Sequence, residues 1–117
     1  MPFSHRTQGS VDIITISGAF DAAEAPAIRD ELKRVIDSGS ARLVVNLADV
    51  QFIDSSGLSV LVTVLKAARA KSGDVALSNL TAPVRSIIEL TRLHRILEIF
   101  DDEEAAVKKL EGRPTGA

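Results

Sequence analysis

A chain of 117 residues, 45% of them hydrophobic, is long enough for one packed core and short for two. A formal net charge of −2, with 3% aromatic residues and no Trp or Tyr, offers neither the field that attracts a polyanion nor stacking platforms for single strands, so nucleic acid is not an expected partner. The absence of cysteine excludes disulfides, Cys-ligated zinc and thiol chemistry.

Phe3 to Thr7 reads as a short edge strand, and Gln8-Gly9-Ser10 as a turn into Val11-Asp12-Ile13-Ile14-Thr15-Ile16-Ser17. That second run is β-branched and mostly alternating, as a strand buried mainly on one face should be. Gly18 breaks the pattern. A helix is predicted from about Glu24 to Asp37, with Pro26 in its first turn and Ile28, Leu32, Val35 and Ile36 as its apolar stripe. Ser38-Gly39-Ser40 ends it. Arg42 to Leu47 is apolar enough for a central strand covered on both faces. Leu58 to Ala70 predicts a second helix, with Leu58, Leu61, Val62 and Leu65 on one face and Val60 and Val64 beside it.

Lys71-Ser72-Gly73-Asp74 is a turn, and Val75 to Ser78 another strand. Thr81-Ala82-Pro83 opens a third helix, Thr81 as its cap, with Val84, Ile87 and Ile88 as its buried stripe. Ile96 to Phe100 is a last short strand. Asp101 or Asp102 caps a final helix to about Leu110, with acids in its first turn and Lys108 and Lys109 in its last. Residues 1–110 form one domain on this reading, and 111–117 a flexible tail. The alternation predicts the α/β class: a single mixed sheet of about four to five strands, with about four helices packed mainly on one side. No stretch approaches the roughly 18 apolar residues of a membrane span, and Met1 to Arg6 lacks the apolar core of a secretion signal, so a cytoplasmic location is expected.

The stretch that carries chemistry is Asp54-Ser55-Ser56-Gly57-Leu58, between the central strand and the second helix. Two readings of it stand side by side. Asp and Ser both satisfy free N–H groups at a helix start, so the run serves as a turn and cap. The same N–H groups can also receive an anion, and a serine there becomes one when phosphorylated. Catalysis by serine is not expected. The only histidines, His5 and His94, read as surface or boundary residues, His5 near a mobile terminus, and the glycine-flanked serine of a nucleophile elbow is missing. The run also lacks the glycines and lysine of a P-loop. Paired acids such as Glu103-Glu104 read as a solvated helix start; no metal-ligand cluster and no cofactor site is apparent.

The run from Leu43 to Leu58, Leu-Val-Val-Asn-Leu-Ala-Asp-Val-Gln-Phe-Ile-Asp-Ser-Ser-Gly-Leu, resembles the signature of STAS domains of the anti-sigma-factor antagonist kind. Gly18-Ala19-Phe20-Asp21 is similar to the family's Gly-x-hydrophobic-Asp at the end of an early strand. Thr81-Ala82-Pro83-Val84-Arg85, Leu90-Thr91-Arg92-Leu93 and Phe100-Asp101 follow in the family's order, so the likeness covers about Phe3 to Leu110. Two departures stand out. Ser59 replaces a frequent second glycine, which slightly stiffens the helix start, and Arg92 replaces a glycine that would favour a C-cap.

The resemblance implies a STAS fold and a partner-switching protein that is not an enzyme. Such a protein, unmodified, binds an anti-sigma factor with serine kinase activity and frees a sigma factor. The kinase phosphorylates the first loop serine, Ser55 here, which ends the association, and a PP2C-type phosphatase resets the cycle. Ser56 is the adjacent alternative acceptor, though its position suits it better to help cap the helix. Asp21, Asp54, Ser56, Gly57 and Leu58 make up the implied partner surface, with the helix N-terminus stabilising the phosphate. A monomer or weak dimer is expected. The alternative within the family is a structural subunit of a stressosome-like or lipid-transport complex.

Overall fold

The computed structural model describes residues 3–112. Five strands, β1 (Phe3–Gln8), β2 (Val11–Phe20), β3 (Arg42–Ile53), β4 (Asp74–Ser78) and β5 (Glu98–Phe100), form one sheet in the order β1-β2-β3-β4-β5. β1 and β2 are an antiparallel hairpin, whereas β2, β3, β4 and β5 run parallel. The three crossovers between the parallel strands carry α1 (Ala25–Ser38), α2 (Ser55–Ala70) and α3 (Ala82–Leu90). Successive parallel strands laid down in one direction with crossovers of one hand place their helices on the same face. Last comes α4 (Glu103–Glu111).

Two cores result. On one face Ile14, Ile16, Leu43, Val45, Leu47, Val75 and Leu77 meet Ile28, Leu32, Val35 and Ile36 of α1, Leu61, Val64 and Leu65 of α2, and Val84 and Ile88 of α3. On the other, α4 lays Ala106, Val107 and Leu110 over Val11, Ile13, Val44 and Ala76. Residues alternate between the two cores along β2 and β3, as pleating dictates. This corrects the expectation of one buried face for β2: Val11, Ile13, Ile14 and Ile16 are all buried, because α4 covers the second face. β3 is covered on both faces as expected. α4 ends at Glu111, one residue beyond the predicted end, and residues 113–117 of the expected tail lie outside the described residues.

The parallel strands run further than their patterns suggested. β2 continues through Gly18 (φ +91°) to Phe20, and β3 continues past Leu47 to Ile53. Their register explains why alternation stopped. Thr15 faces Asn46, Ser17 faces Asp49 and Ala19 faces Phe52, so β3 takes one extra residue in each interval. Each bulge resets which side chains face the core and bends the strand. Together they bring Phe20 opposite Ile53.

The caps of α3 and α4 meet expectation in position, though not both in bonding. Asp102 is the cap of α4, accepting from the Ala105 N–H at 2.8 Å. Thr81 occupies the N-cap position of α3 as expected, but its side chain makes no cap hydrogen bond; its hydroxyl donates 2.7 Å to the Val50 carbonyl and ties α3 to the β3 extension. Arg92 adopts φ +62°, the conformation a glycine favours, so the missing glycine leaves its mark on the backbone here. His5 lies within β1, its Nε2 2.9 Å from Asp12 Oδ1, and Thr7 donates to the same oxygen at 3.1 Å. His5 thus takes part in the hairpin instead of a mobile end.

Glu103 fastens α4 to the sheet. It accepts from the Arg6 guanidinium of β1 and, at 2.6 Å, from the Asn46 amide of β3. Its carboxyl is held below the ordinary glutamate value of 4.5, chiefly by the Arg6 hydrogen bond, with burial opposing and the Asn46 amide assisting. A depressed carboxyl adds stability that is present above the unfolded-state value and lost as pH falls through the folded-state one. Glu103→Ala is expected to cost about 1 kcal/mol at neutral pH, a modest figure because Arg6 is half in water. Urea unfolding of both proteins at pH 7 and again at pH 3 checks this: the deficit should shrink as the pH drops from 4.5 through the folded-state value.

Candidate functional site

The bulged ends of β2 and β3 deliver two acidic residues to the same place. Asp54 N–H donates 3.3 Å to the Phe20 carbonyl, so the chain leaves both strands side by side. From there Asp21 turns into α1 and Asp54 into α2.

Asp54 is the N-cap of α2, with extended backbone (φ −113°, ψ −172°). Its Oδ1 accepts from the N–H groups of Ser56 at 2.9 Å and Gly57 at 3.2 Å, while Oδ2 accepts from Ala22 N–H at 3.2 Å. This cap starts the helix at Ser55, three residues before the apolar pattern begins. Ser56, expected to help cap, is instead a donor to the cap through its backbone. Asp21 holds the turn that leads into α1: its Oδ1 accepts from Ala23 N–H at 3.1 Å and Glu24 N–H at 3.2 Å, while the N-cap position of α1 is Glu24, whose side chain makes no cap hydrogen bond. One carboxylate therefore occupies the positive end of α2, and a second stands in the turn just before α1.

Gly57 explains how close these pieces come. A Cβ there would lie 2.5 Å from the Phe20 carbonyl oxygen and 2.7 Å from Ile53 Cγ1, so only glycine lets α2 start against the strand ends. Gly57 is buried, Ser56, Leu58, Asp21 and Asp54 are half-buried, and Ser55 is exposed. Leu58 leans on the α1–α3 face of the core. The buried side of α2 is Val60, Leu61, Val64, Leu65 and Ala68, rotated slightly from the predicted face, which leaves Leu58 and Val62 only half covered.

Ser55 opens onto a groove of about 370 Å³ between the N-terminal halves of α1 and α2. Ala22, Ala25, Pro26 and Arg29 line one side; Ser55, Ser56, Ser59, Val60 and Thr63 line the other. Ser55 and Ser56 are the two lining residues that the sequence marked as site residues; the others it did not. Their signal was present as helical spacing, since Ser55, Ser59 and Thr63 recur every fourth residue and Arg29 follows Ala25 by one turn. What the spacing did not disclose was that the two rows face each other.

The chemistry on offer is that of recognition. Four hydroxyls and one guanidinium surround a shallow, partly apolar floor, and neither a carboxylate nor a histidine lines the groove among the described residues. Among the described residues, too, no helix is long and apolar enough to cross a membrane.

Comparison with known proteins gives a consistent picture. The family model described as STAS domain matches residues 3–106. The chain is 30% identical over 100 residues to the anti-sigma F factor antagonist of Paenibacillus polymyxa, spanning 85% of this chain and 86% of the relative. To the anti-sigma-B factor antagonist of Bacillus subtilis it is 32% identical over 95 residues, spanning 81% and 86% respectively. In three dimensions it resembles an anti-sigma factor antagonist from Mycobacterium paratuberculosis with a TM-score of 0.85 over 93% of this chain and 92% of that one; at 22% identity this is a likeness of fold.

The cap geometry makes a direct prediction. Asp54→Ala removes the acceptor for two first-turn donors of α2 and for Ala22, and is expected to cost about 1–2 kcal/mol. Chemical denaturation measures the loss, and faster amide exchange at Ser56 and Gly57 should accompany it.

Proposed function

The chain belongs to the STAS domain family, and on that premise we propose that it is an anti-sigma-factor antagonist whose unphosphorylated form binds an anti-sigma factor with serine kinase activity and so releases a sigma factor. The names of its relatives from Paenibacillus polymyxa and Bacillus subtilis support the regulatory role. The observation that carries the switch is the position of Ser55: an exposed hydroxyl at the first turn of a well-anchored helix, at the mouth of a groove. In the proposed reaction a kinase transfers the γ-phosphoryl group of ATP to Ser55 Oγ. The hydroxyl gives up its proton, a P–O bond forms, and ADP leaves. A PP2C-type phosphatase hydrolyses the ester and returns the hydroxyl. The cycle is assigned to the cytoplasm, with the protein as the binding module and the chemistry done by its partners.

The physical basis of release is local. A phosphoserine brings about −1.5 to −2 charges to a surface that, unmodified, presents a neutral hydroxyl. Asp54 and Asp21 already stand beside it, so the loop becomes strongly negative as well as larger. A partner that packs on Asp21, Asp54, Ser56, Gly57 and Leu58 must then bury a dianion beside two carboxylates. That costs more than the neutral contact returns. The fold itself need not move, because the switch acts on what can dock.

Ser55→Asp is expected to weaken binding to the cognate anti-sigma factor by roughly tenfold or more, equivalent to about 1.4 kcal/mol. Ser55→Ala should bind as the unmodified chain does and no longer respond to kinase and ATP. Calorimetric titration of the two variants decides the matter: equal affinities would refute the switch at this residue.

A further inference from the structure

The arrangement around Ser55 raises an electrostatic question of its own. The start of a helix is normally where a phosphate finds its counter-charge. Here that place is largely taken. Asp54 engages the N–H groups of Ser56, Gly57 and Ala22, and Asp21 engages those of Ala23 and Glu24. This departs from the expectation that the α2 N-terminus would hold the anion. A dianion on Ser55 instead follows Asp54 directly in the chain, and the Asp54–Ala22 hydrogen bond brings the Asp21 turn to the same loop, so like charges gather there and repel.

The groove supplies the compensation. Among its described lining residues the single cation is Arg29, on α1 across from the row Ser55, Ser59 and Thr63 of α2. Nothing bulky stands between the rows near Ser55, since the α1 side there is Ala22, Ala25 and Pro26. The guanidinium is also weakly committed. Its ion pair is with Asp30, Nε to Oδ1 at 3.5 Å, with the two side chains 46% and 75% exposed. A pair so open to water is worth little and is readily given up. A planar guanidinium matches phosphate oxygens in bidentate fashion, and the Ser59 and Thr63 hydroxyls are donors on the same wall. Ser59 is the residue that replaces the family's frequent glycine, so here that position adds a hydroxyl to the groove.

We propose that Arg29 is the receiving group for a phosphate on Ser55: the guanidinium swings from Asp30 to the phosphate and closes the groove between α1 and α2. Phosphorylation then does two things at once. It adds charge at the loop and fills the groove that an unmodified Ser55 leaves open. The inference rests on Ser55 being the residue that is modified, and it adds where the new charge goes.

The test does not need a kinase. Phosphoserine is introduced at position 55 of the full chain during translation, and the second ionisation of its phosphate is followed by 31P NMR. With Arg29 present that ionisation should fall below its value in Arg29→Gln by roughly half to one pH unit, with Arg29→Lys between the two because a point charge replaces the fork. Identical titrations in all three proteins would overturn the assignment. Arg29 is half exposed, so the unmodified Arg29→Gln chain is expected to melt as the parent does, and Arg29→Lys offers a second reading if it does not. Failure of every candidate kinase to label Ser55 would count against the proposed function. The titration would still report on Arg29 by itself, so the two failures are distinguishable.

Discussion

One carboxylate governs the geometry of this molecule's working end. Asp54 accepts from Ser56 and Gly57 in its own helix and from Ala22, 32 residues earlier, so it pins the start of α2 to the entrance of α1. The pinning is possible only because the two strands end level with each other and because Gly57 has no side chain to hold them apart. Remove either condition and Ser55 would no longer sit at the rim of the groove. The exposure of that serine is a consequence of the order around it.

The same carboxylate shapes the electrostatics. Helix starts attract negative charge, and in this fold Asp54 satisfies that attraction at α2 while Asp21 closes the turn ahead of α1. The loop is therefore stable before modification and needs no phosphate to complete it. A phosphate added to such a loop is an intruder among like charges, which favours a switch read out by partners over one that rebuilds the fold. It also gives weight to any loosely held cation nearby, and the α1 wall supplies one.

The two faces of the sheet divide the labour. The three crossover helices pack on one face and present the loop and the groove. The opposite face is closed by α4, held by Glu103 against Arg6 of β1 and Asn46 of β3. Because Asn46 lies in the central strand near the first bulge, that anchor also braces the stretch whose irregular register brings Ile53 to Phe20. Stability on one side thus supports position on the other.

Much of this was legible from residues alone. The stripe Ile28, Leu32, Val35 and Ile36 announced α1, the run Leu43 to Leu47, apolar but for Asn46, announced a doubly covered strand, and the Asp-Ser-Ser-Gly run marked the loop, because each rests on spacing within a few residues. The extensions of β2 and β3 were hidden, since each bulge reverses the face of every later side chain and so erases the alternation by which strands are read. Thr81 stands at the cap position its neighbours suggested, but its hydroxyl donates to the carbonyl of Val50, 31 residues away, a contact no local pattern shows. Arg29 shared a helical row with Ala25, but nothing in that spacing pointed to the serine loop. Composition and periodicity determined the elements, because those follow from interactions along the chain, and the resemblance of the Asp-Ser-Ser-Gly run to STAS domains singled out the candidate serine. The tertiary structure alone decided which rows of side chains confront each other across the groove, because that depends on how separate helices are set down on one sheet.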